Sequence, residues 1–181
     1  MPPYIAGAIA SISLAWLSDR VQWRLPFVFG PTVVIVVGFA VLIALAPSIS
    51  SNVAACYVAL VLICIGQYPC NPASYAWTGS NLAGDAKRAV GMAFHISIGN
   101  CGGILGSYMF LDSESPGYPT GFGIGLGLCS AVLVVSVLLE LAYKRVNKKR
   151  DAMTEEEIHA KYTDDQLWRM GNMSPLYRYK L

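Results

Sequence analysis

Five apolar runs, separated by short polar segments, constrain the fold of this chain more than any other feature of its sequence. The runs lie at about residues 3–17, 26–46, 53–75, 89–111 and 121–143. A helix needs about 20 apolar residues to cross a hydrocarbon layer about 30 Å thick, and the last four runs reach that length. The first run is shorter. We therefore predict an all-α integral membrane protein with about five transmembrane helices and a tail at residues 144–181.

The composition excludes a soluble globular domain and a disordered chain. Of the 181 residues, 55% are apolar and only 13% are charged, whereas soluble domains average about 25% charged residues. Disorder requires the opposite composition, with few apolar and many charged residues. Twelve spans would need about 240 residues for the helices alone. The chain therefore has room for several transmembrane helices but not for twelve.

The distribution of basic residues predicts the orientation of the helices. All 13 Lys and Arg residues lie in the segments 18–24 and 76–88 or in the tail 144–181. The segments 47–52 and 112–120 contain none. Because Lys and Arg near transmembrane helices mark the cytoplasmic face, we predict that the tail is cytoplasmic and that the first run begins outside.

The tail is predicted to contain short amphipathic helices. The sequences at 154–157 and 163–166 both have the spacing of a helix capping box. Gly171 suits the carboxy-terminal cap of the second helix. The basic cluster at 144–150 is interpreted as a stop-transfer anchor, and a specific site for anionic lipid is the alternative.

The sequence contains no arrangement of residues that indicates catalysis. It lacks a catalytic Ser/His/Asp set, a zinc-protease motif, a phosphate-binding loop and paired carboxylates. The ionisable residues within the apolar runs are His95 and Glu140. His95 is interpreted as an interfacial histidine, with a proton carrier as the alternative. We expect no enzyme activity, no catalytic residue, no metal ion, no cofactor and no nucleic-acid partner.

Polar residues near two prolines mark the end of the third run. Gln67 and Asn71 lie four residues apart and share one helix face. Pro69 and Pro72 each remove a helix hydrogen bond. Backbone opened in this way is tolerated only against protein or a water-filled cavity. A kink packed against neighbouring helices and a substrate-contacting cavity wall both stay open.

The fourth run combines closely spaced glycines with one amide side chain. Gly99, Gly102, Gly103 and Gly106 form pairs of small residues four apart, a pattern that lets helix backbones approach closely. Asn100 lies among them, and an amide in hydrocarbon must find a partner or line a wet cavity. We predict helix packing for the glycines and substrate or cavity contact for Asn100. A second set of glycines with the same predicted packing role lies at positions 121, 123, 125 and 127.

The segment after the first run resembles the loop signature of the major facilitator superfamily. Asp19 and Arg20, followed by Arg24, match a signature that lies between helices two and three of that superfamily and recurs between helices eight and nine. We interpret these three residues as a gate, since an Asp at a helix end can pair with a neighbouring helix terminus. An exposed ion pair is worth under about 1 kcal/mol, so its value would lie in gating. Ala15 and Gln22 replace the usual glycines of the tight turn.

Further motifs are similar to the fungal anion:cation symporter family, which includes allantoate and nicotinate permeases. They are Trp77-x-x-x-Asn81-x-x-Gly84, Lys87-Arg88-Ala89-Val90, Asn100-x-Gly102-Gly103-x-x-Gly106, Pro116-Gly117-Tyr118-Pro119 and Ser174-Pro175-Leu176-Tyr177-Arg178-Tyr179. The resemblance covers essentially the whole chain and implies helices eight to twelve of a twelve-helix transporter. The amino-terminal half and helix seven would then be missing.

The resemblance also implies a function. Members of the family carry a small organic anion across the plasma membrane by alternating access, with a proton as the coupling ion. In related symporters the Asn of the Ile-Gly-Asn stretch faces the substrate, which implies that role for Asn100. The carboxylates that couple transport to protons are expected in the missing half. The alternative is a truncated, non-transporting membrane protein with a structural or regulatory role.

Overall fold

A computed structural model describes residues 2–21, 23–115 and 117–181, apart from the side chain of Ser50. Gln22 of the loop signature and Pro116 of the Pro-Gly-Tyr-Pro motif lie outside the described residues. The helices are α1 (Pro2–Val21), α2 (Leu25–Leu45), α3 (Val53–Ser80), α4 (Asp85–Tyr108), α5 (Pro119–Asp151), α6 (Glu155–Lys161) and α7 (Asp164–Met170). Short 3₁₀ helices lie at Ala46–Ser51, Asp112–Glu114 and Gly171–Met173. The described residues contain no strand, and the predicted all-α class is confirmed.

Four of the helical segments are long and apolar enough to cross a membrane. They are Leu25–Ile49, Val53–Ser80, Asp85–Tyr108 and Pro119–Asp151, and each contains most of one predicted run. The first run lies within α1, which has 20 residues. Three serines and the charged side chains of Asp19 and Arg20 lower the mean hydropathy of this helix.

Two helices continue well beyond the apolar runs that predict them. α3 ends at Ser80 and α5 ends at Asp151. The last turn of α5 carries Lys148, Lys149 and Arg150. Lys and Arg are good helix formers, and their charges favour the negative end of the helix dipole. The basic cluster of the predicted tail is therefore the end of α5.

α2 packs against both α3 and α5, and α3 also packs against α1. The buried core between α2 and α3 consists of Leu42, Cys56 and Ala59. α4 contains no buried residue and meets chiefly α3. A large apolar helix surface on α4 is therefore unpartnered within the part of the chain that the structure describes.

Close approach of α2 and α3 depends on glycines. A Cβ atom at Gly66 would lie 2.5 Å from the main-chain oxygen of Pro31, and one at Gly38 would lie 3.1 Å from the main-chain oxygen of Ala59. These separations are far below an ordinary van der Waals contact. Only the absence of a side chain at both positions permits the observed packing.

The glycines predicted to pack fall into two groups. Two of those in α5 pack against aromatic rings: Gly121 lies against Phe110, and Gly125 lies against Phe39. Those of α4 are open: a Cβ atom at Gly102, Gly103 or Gly106 would meet nothing within 4 Å, and one at Gly99 would lie 3.9 Å from the hydroxyl of Tyr75. Packing at the α4 glycines stays a prediction that needs a surface outside the described chain.

The two short helices of the tail begin as predicted. The Thr154 hydroxyl accepts a hydrogen bond from the main-chain N–H of Glu157, whose carboxylate accepts one from the N–H of Thr154. The Thr163 N–H donates to the side-chain oxygen of Gln166 in the second capping box. Gly171 caps α7 with a φ of 54°, a left-handed value that favours glycine.

The segments that contain the basic residues meet at one end of the bundle. The main-chain N–H of Arg24 donates to the main-chain oxygen of Leu181 over 2.6 Å, and Lys87 donates to the side chain of Asn172. The α1–α2 connection, the α3–α4 loop and the tail therefore meet, and we call this end of the bundle the basic end. The 3₁₀ helix Ala46–Ser51 follows α2, and Asp112–Glu114 follows α4. Both therefore lie at the end of the bundle opposite the basic end.

Candidate functional site

The polar face of α3 that contains Gln67 and Asn71 continues for one more turn, to Tyr75. Gln67 and Asn71 are both exposed, and Tyr75 extends their series with the same spacing of four residues. Pro69, by contrast, is buried. α3 therefore buries one proline while it presents the two amides away from the other helices of this chain.

α3 and α4 meet at a contact between two aromatic rings. The rings of Tyr75 and His95 pack edge to face, with their centroids 4.9 Å apart and an interplanar angle of 74°. A Cβ atom at Gly99, one turn further along α4, would lie 3.9 Å from the Tyr75 hydroxyl. The predicted interfacial histidine is thus an α3–α4 contact residue in this structure. The spacing from Gln67 through Asn71 to Tyr75 is the sequence signal that could have identified its partner.

The Tyr75–His95 contact sets Asn71 and Asn100 at similar depths. α3 runs towards the basic end, and Asn71 precedes Tyr75 by four residues, or about 6 Å along the helix. α4 runs away from that end, and Asn100 follows His95 by five residues, or about 7.5 Å. Both amides therefore lie beyond the ring contact, further from the basic end, with Gln67 one turn deeper.

The amides of this polar region are free to bind a ligand. Asn100 is exposed, as are Gln67 and Asn71. Among the described residues, the side chains of these three make no hydrogen bond to the rest of the chain. Each amide offers two N–H donors and one carbonyl acceptor. The region can therefore form hydrogen bonds to a polar molecule.

The Asp-Arg signature forms a local ion pair. The guanidinium of Arg24 donates to the Asp19 carboxylate over 3.3 Å and to the Ser18 hydroxyl over 2.7 Å. Arg20 lies over the ring of Trp16, 3.9 Å from its centroid. Asp19, near the end of α1, therefore pairs with the residue that caps the start of α2. Because the Asp19 side chain is 79% exposed, the pair contributes under about 1 kcal/mol.

A small cleft joins the Asp-Arg segment to the prolines of α3. The cleft has a volume of about 180 Å³ and is lined by Asp19 and Arg24 on one side and by Pro69 and Pro72 on the other. The two features that the sequence analysis singled out separately are therefore neighbours. Pro69 and Pro72 therefore border the same cleft as the ion pair.

Glu140 is a buried carboxylate with two partners. Its residue surface is 3% exposed. The indole N–H of Trp23 lies 3.3 Å from both carboxylate oxygens, and Lys144 forms an ion pair with one of them. Glu140 therefore fastens α5 to the connection between α1 and α2. Among the described residues, no group of three or more His, Cys, Asp or Glu residues could hold a metal ion.

Four of the helices are long and apolar enough to cross a membrane, and exposed amide side chains lie on two of them. The family described as Major Facilitator Superfamily matches residues 2–174 of the chain. The chain therefore belongs to the major facilitator superfamily, a family of transporters and not of enzymes.

Curated relatives agree with this assignment. The chain is 31% identical to the MFS-type transporter cnsO of Penicillium expansum over 184 residues, which cover 99% of this chain and 35% of that protein. It is 32% identical to an uncharacterized transporter of Schizosaccharomyces pombe over 83% of this chain and 29% of that protein. It is 24% identical to the high-affinity nicotinic acid transporter of Saccharomyces cerevisiae over 99% of this chain and 33% of that protein.

The chain spans about a third of the length of the curated relatives it matches. No solved structure matches the chain.

Proposed function

We propose that this chain is the carboxy-terminal part, helices eight to twelve, of a transporter that carries a small organic anion by alternating access. The observation that carries the proposal is the pair of exposed amides, Asn71 on α3 and Asn100 on α4, at similar depths beyond the ring contact between the two helices. Helices this apolar have no structural need for such groups on an unpartnered surface. The similarity to a nicotinic acid transporter supports a carboxylate as the substrate.

The amides supply hydrogen bonds to the anion in this proposal. The N–H groups of Asn100 donate to the substrate carboxylate from α4, and those of Gln67 and Asn71 donate to it from α3. Charge-assisted bonds of this kind are stronger than those between neutral groups. Glu140 is engaged by Lys144 and Trp23, so the carboxylates that couple transport to protons are assigned to the missing amino-terminal half.

The missing half also explains the open surface of α4. Two six-helix halves that rock about a site near the middle of the membrane alternate the exposure of that site. Gly99, Gly102, Gly103 and Gly106 allow the amino-terminal half to approach α4 closely. Asp19, Arg20 and Arg24 form the gate, which senses α3 through the cleft beside Pro69 and Pro72.

Uptake by a permease-deficient yeast strain tests the proposal. The complete twelve-helix protein is expected to give saturable uptake of nicotinate or allantoate, and uptake of nicotinate is expected to exceed that of the neutral, equally sized nicotinamide at least about tenfold. The chain alone is expected to give no uptake above background, because it lacks half of the site. Saturable uptake by the chain alone, or equal uptake of the two vitamers, would contradict the proposal.

The proposed orientation in the plasma membrane predicts a pattern of chemical labelling. Single cysteines at Ser51 and Ser115, in a cysteine-free background, are expected to react with an impermeant reagent added to intact cells. Cysteines at Ser80 and Thr154 are expected to react only after the cells are opened, since Lys and Arg mark the cytoplasmic side. Labelling of position 80 from outside would overturn the orientation.

A further inference from the structure

The last five residues of the chain, 177–181, lie across the basic end of the bundle in a site built from side chains of α3 and α5. Asn147 of α5 donates to the main-chain oxygen of Tyr179 over 2.8 Å and accepts from its main-chain N–H over 2.9 Å. Asn81, the carboxy-terminal cap residue of α3, donates to the main-chain oxygen of Lys180 over 3.0 Å and accepts from its main-chain N–H over 2.7 Å. Two adjacent residues thus have both main-chain groups paired.

This double pairing is the pattern that neighbouring strands provide in a sheet. A strand exchanges both an N–H and a C=O bond with the residue opposite it. Here two asparagine side chains from different helices make those bonds, one to each of two successive residues. The site therefore recognises the backbone of a peptide, and it joins α3 to α5 through that peptide.

Aromatic and cationic side chains add side-chain recognition. The ring of Tyr179 stacks on Tyr143, with centroids 4.5 Å apart and an interplanar angle of 7°. The guanidinium of Arg150 lies 5.0 Å from the centroid of the Tyr179 ring and also donates to the main-chain oxygen of Tyr177 over 2.8 Å. The indole of Trp77 donates to the main-chain oxygen of Lys180 over 3.1 Å.

Removal of the peptide would leave polar groups of the site without partners. Asn81 is 4% exposed and Trp77 is 5% exposed. The Asn81 carbonyl and the Trp77 N–H would both lose the partner they have in residue 180. The segment therefore both supplies partners to these two polar groups and shields them from solvent.

The segment also reaches the connection between α1 and α2. The main-chain oxygen of Leu181 accepts from the N–H of Arg24, and the Tyr177 hydroxyl donates to the main-chain oxygen of Ser80 over 3.1 Å. Burial raises the pKa of Tyr177 above its ordinary value, and a tyrosine hydroxyl is protonated at neutral pH even without that shift. One short peptide thereby connects the gate segment, α3 and α5.

We propose that Trp77, Asn81, Asn147 and Arg150 form an intramolecular peptide-binding site whose ligand is the segment 177–181, and that its occupancy locks the basic ends of α3 and α5 together. The ligand is an extended peptide with an aromatic side chain at its centre. Transport of an anion does not require such a site, so this proposal stands independently of the proposed function.

Hydrogen exchange of the full chain in lipid nanodiscs tests whether the segment binds as a unit. The amides of Tyr179 and Lys180 are expected to be protected. Asn147→Ala is expected to accelerate exchange at both amides at least about tenfold, although both bonds that it removes are to Tyr179. Asn52→Ala is the matched control, because among the described residues the Asn52 side chain bonds to Ser48 and Ser51 and not to the segment. Acceleration at Tyr179 alone, or unprotected amides in the unmodified chain, would overturn the binding site.

A spin-label distance tests the lock itself. Labels at Ala76 and Arg145, both exposed and on different helices, report the separation of the basic ends of α3 and α5 in a cysteine-free full chain. Tyr179→Ala changes only the peptide and leaves both helices intact. It is expected to broaden a narrow distance distribution, as is Asn147→Ala, whereas Asn52→Ala is not. An unchanged distribution in Tyr179→Ala would overturn the lock.

Discussion

Gly66→Leu is expected to separate α2 from α3 and to lower the stability of the bundle by at least about 1–3 kcal/mol, the usual effect of overpacking a core. A Cβ atom at this position would lie 2.5 Å from the main-chain oxygen of Pro31 and 3.3 Å from the main-chain nitrogen of Ile35. Main-chain atoms cannot rotate away as the end of a flexible side chain can. The helices must therefore move apart, and the adjoining core is exposed with them.

Thermal unfolding of the full chain in detergent, followed by circular dichroism, measures this effect. Gly102→Leu is the matched control, since a Cβ atom there would meet nothing within 4 Å among the described residues. Its melting temperature is expected to stay close to that of the unmodified chain. In the complete transporter, by contrast, Gly102→Leu is expected to reduce the surface level, because the proposal puts another helix against α4. Equal melting temperatures for Gly66→Leu and the unmodified chain would contradict the packing described here.

Local patterns predict the helices of this protein well. Hydropathy runs place the apolar parts of α2 to α5, and the capping boxes at 154–157 and 163–166 place the short helices of the tail. These features depend on residues that are close together in the sequence. The apolar runs end before α3 and α5 do, because polar residues after position 75 and charged residues after position 143 end a hydropathy run without ending a helix.

Contacts between distant residues could not be predicted in the same way. Asn147 binds a residue 32 positions away, and Asn81 binds one 99 positions away. Glycine spacing indicates a surface suited to close packing but not whether a partner covers it. Gly38 of α2 and Gly66 of α3 allow close packing, although neither belongs to a pair of glycines four residues apart. The α4 glycines form such pairs but are open. The spacing of Gln67 and Asn71 on α3 extends to Tyr75 and could have placed Tyr75 on the same face, but its contact with His95 is seen only in the structure.

Asn100→Ala is expected to weaken the apparent affinity of the complete transporter for its carboxylate substrate about 10- to 150-fold. The estimate follows from the loss of a hydrogen bond to a charged group, which is worth about 1.5–3 kcal/mol. The side chain of Asn100 makes no hydrogen bond to the described residues and is exposed on α4. Its removal should therefore leave folding and surface level unchanged. Asn52→Ala, which deletes an amide at the opposite end of the bundle from the basic end, is expected to leave affinity unchanged as well.

The concentration dependence of nicotinate uptake by the complete transporter, compared between the unmodified protein and Asn100→Ala at equal surface level, is the most direct test of a carboxylate site on α3 and α4. The account predicts a KM at least about tenfold higher for Asn100→Ala, with nicotinamide a poor competitor of uptake by the unmodified protein. An unchanged KM and maximal rate would contradict it. Asn100 would then be a packing residue, and the anion would be bound by the half of the transporter outside this chain.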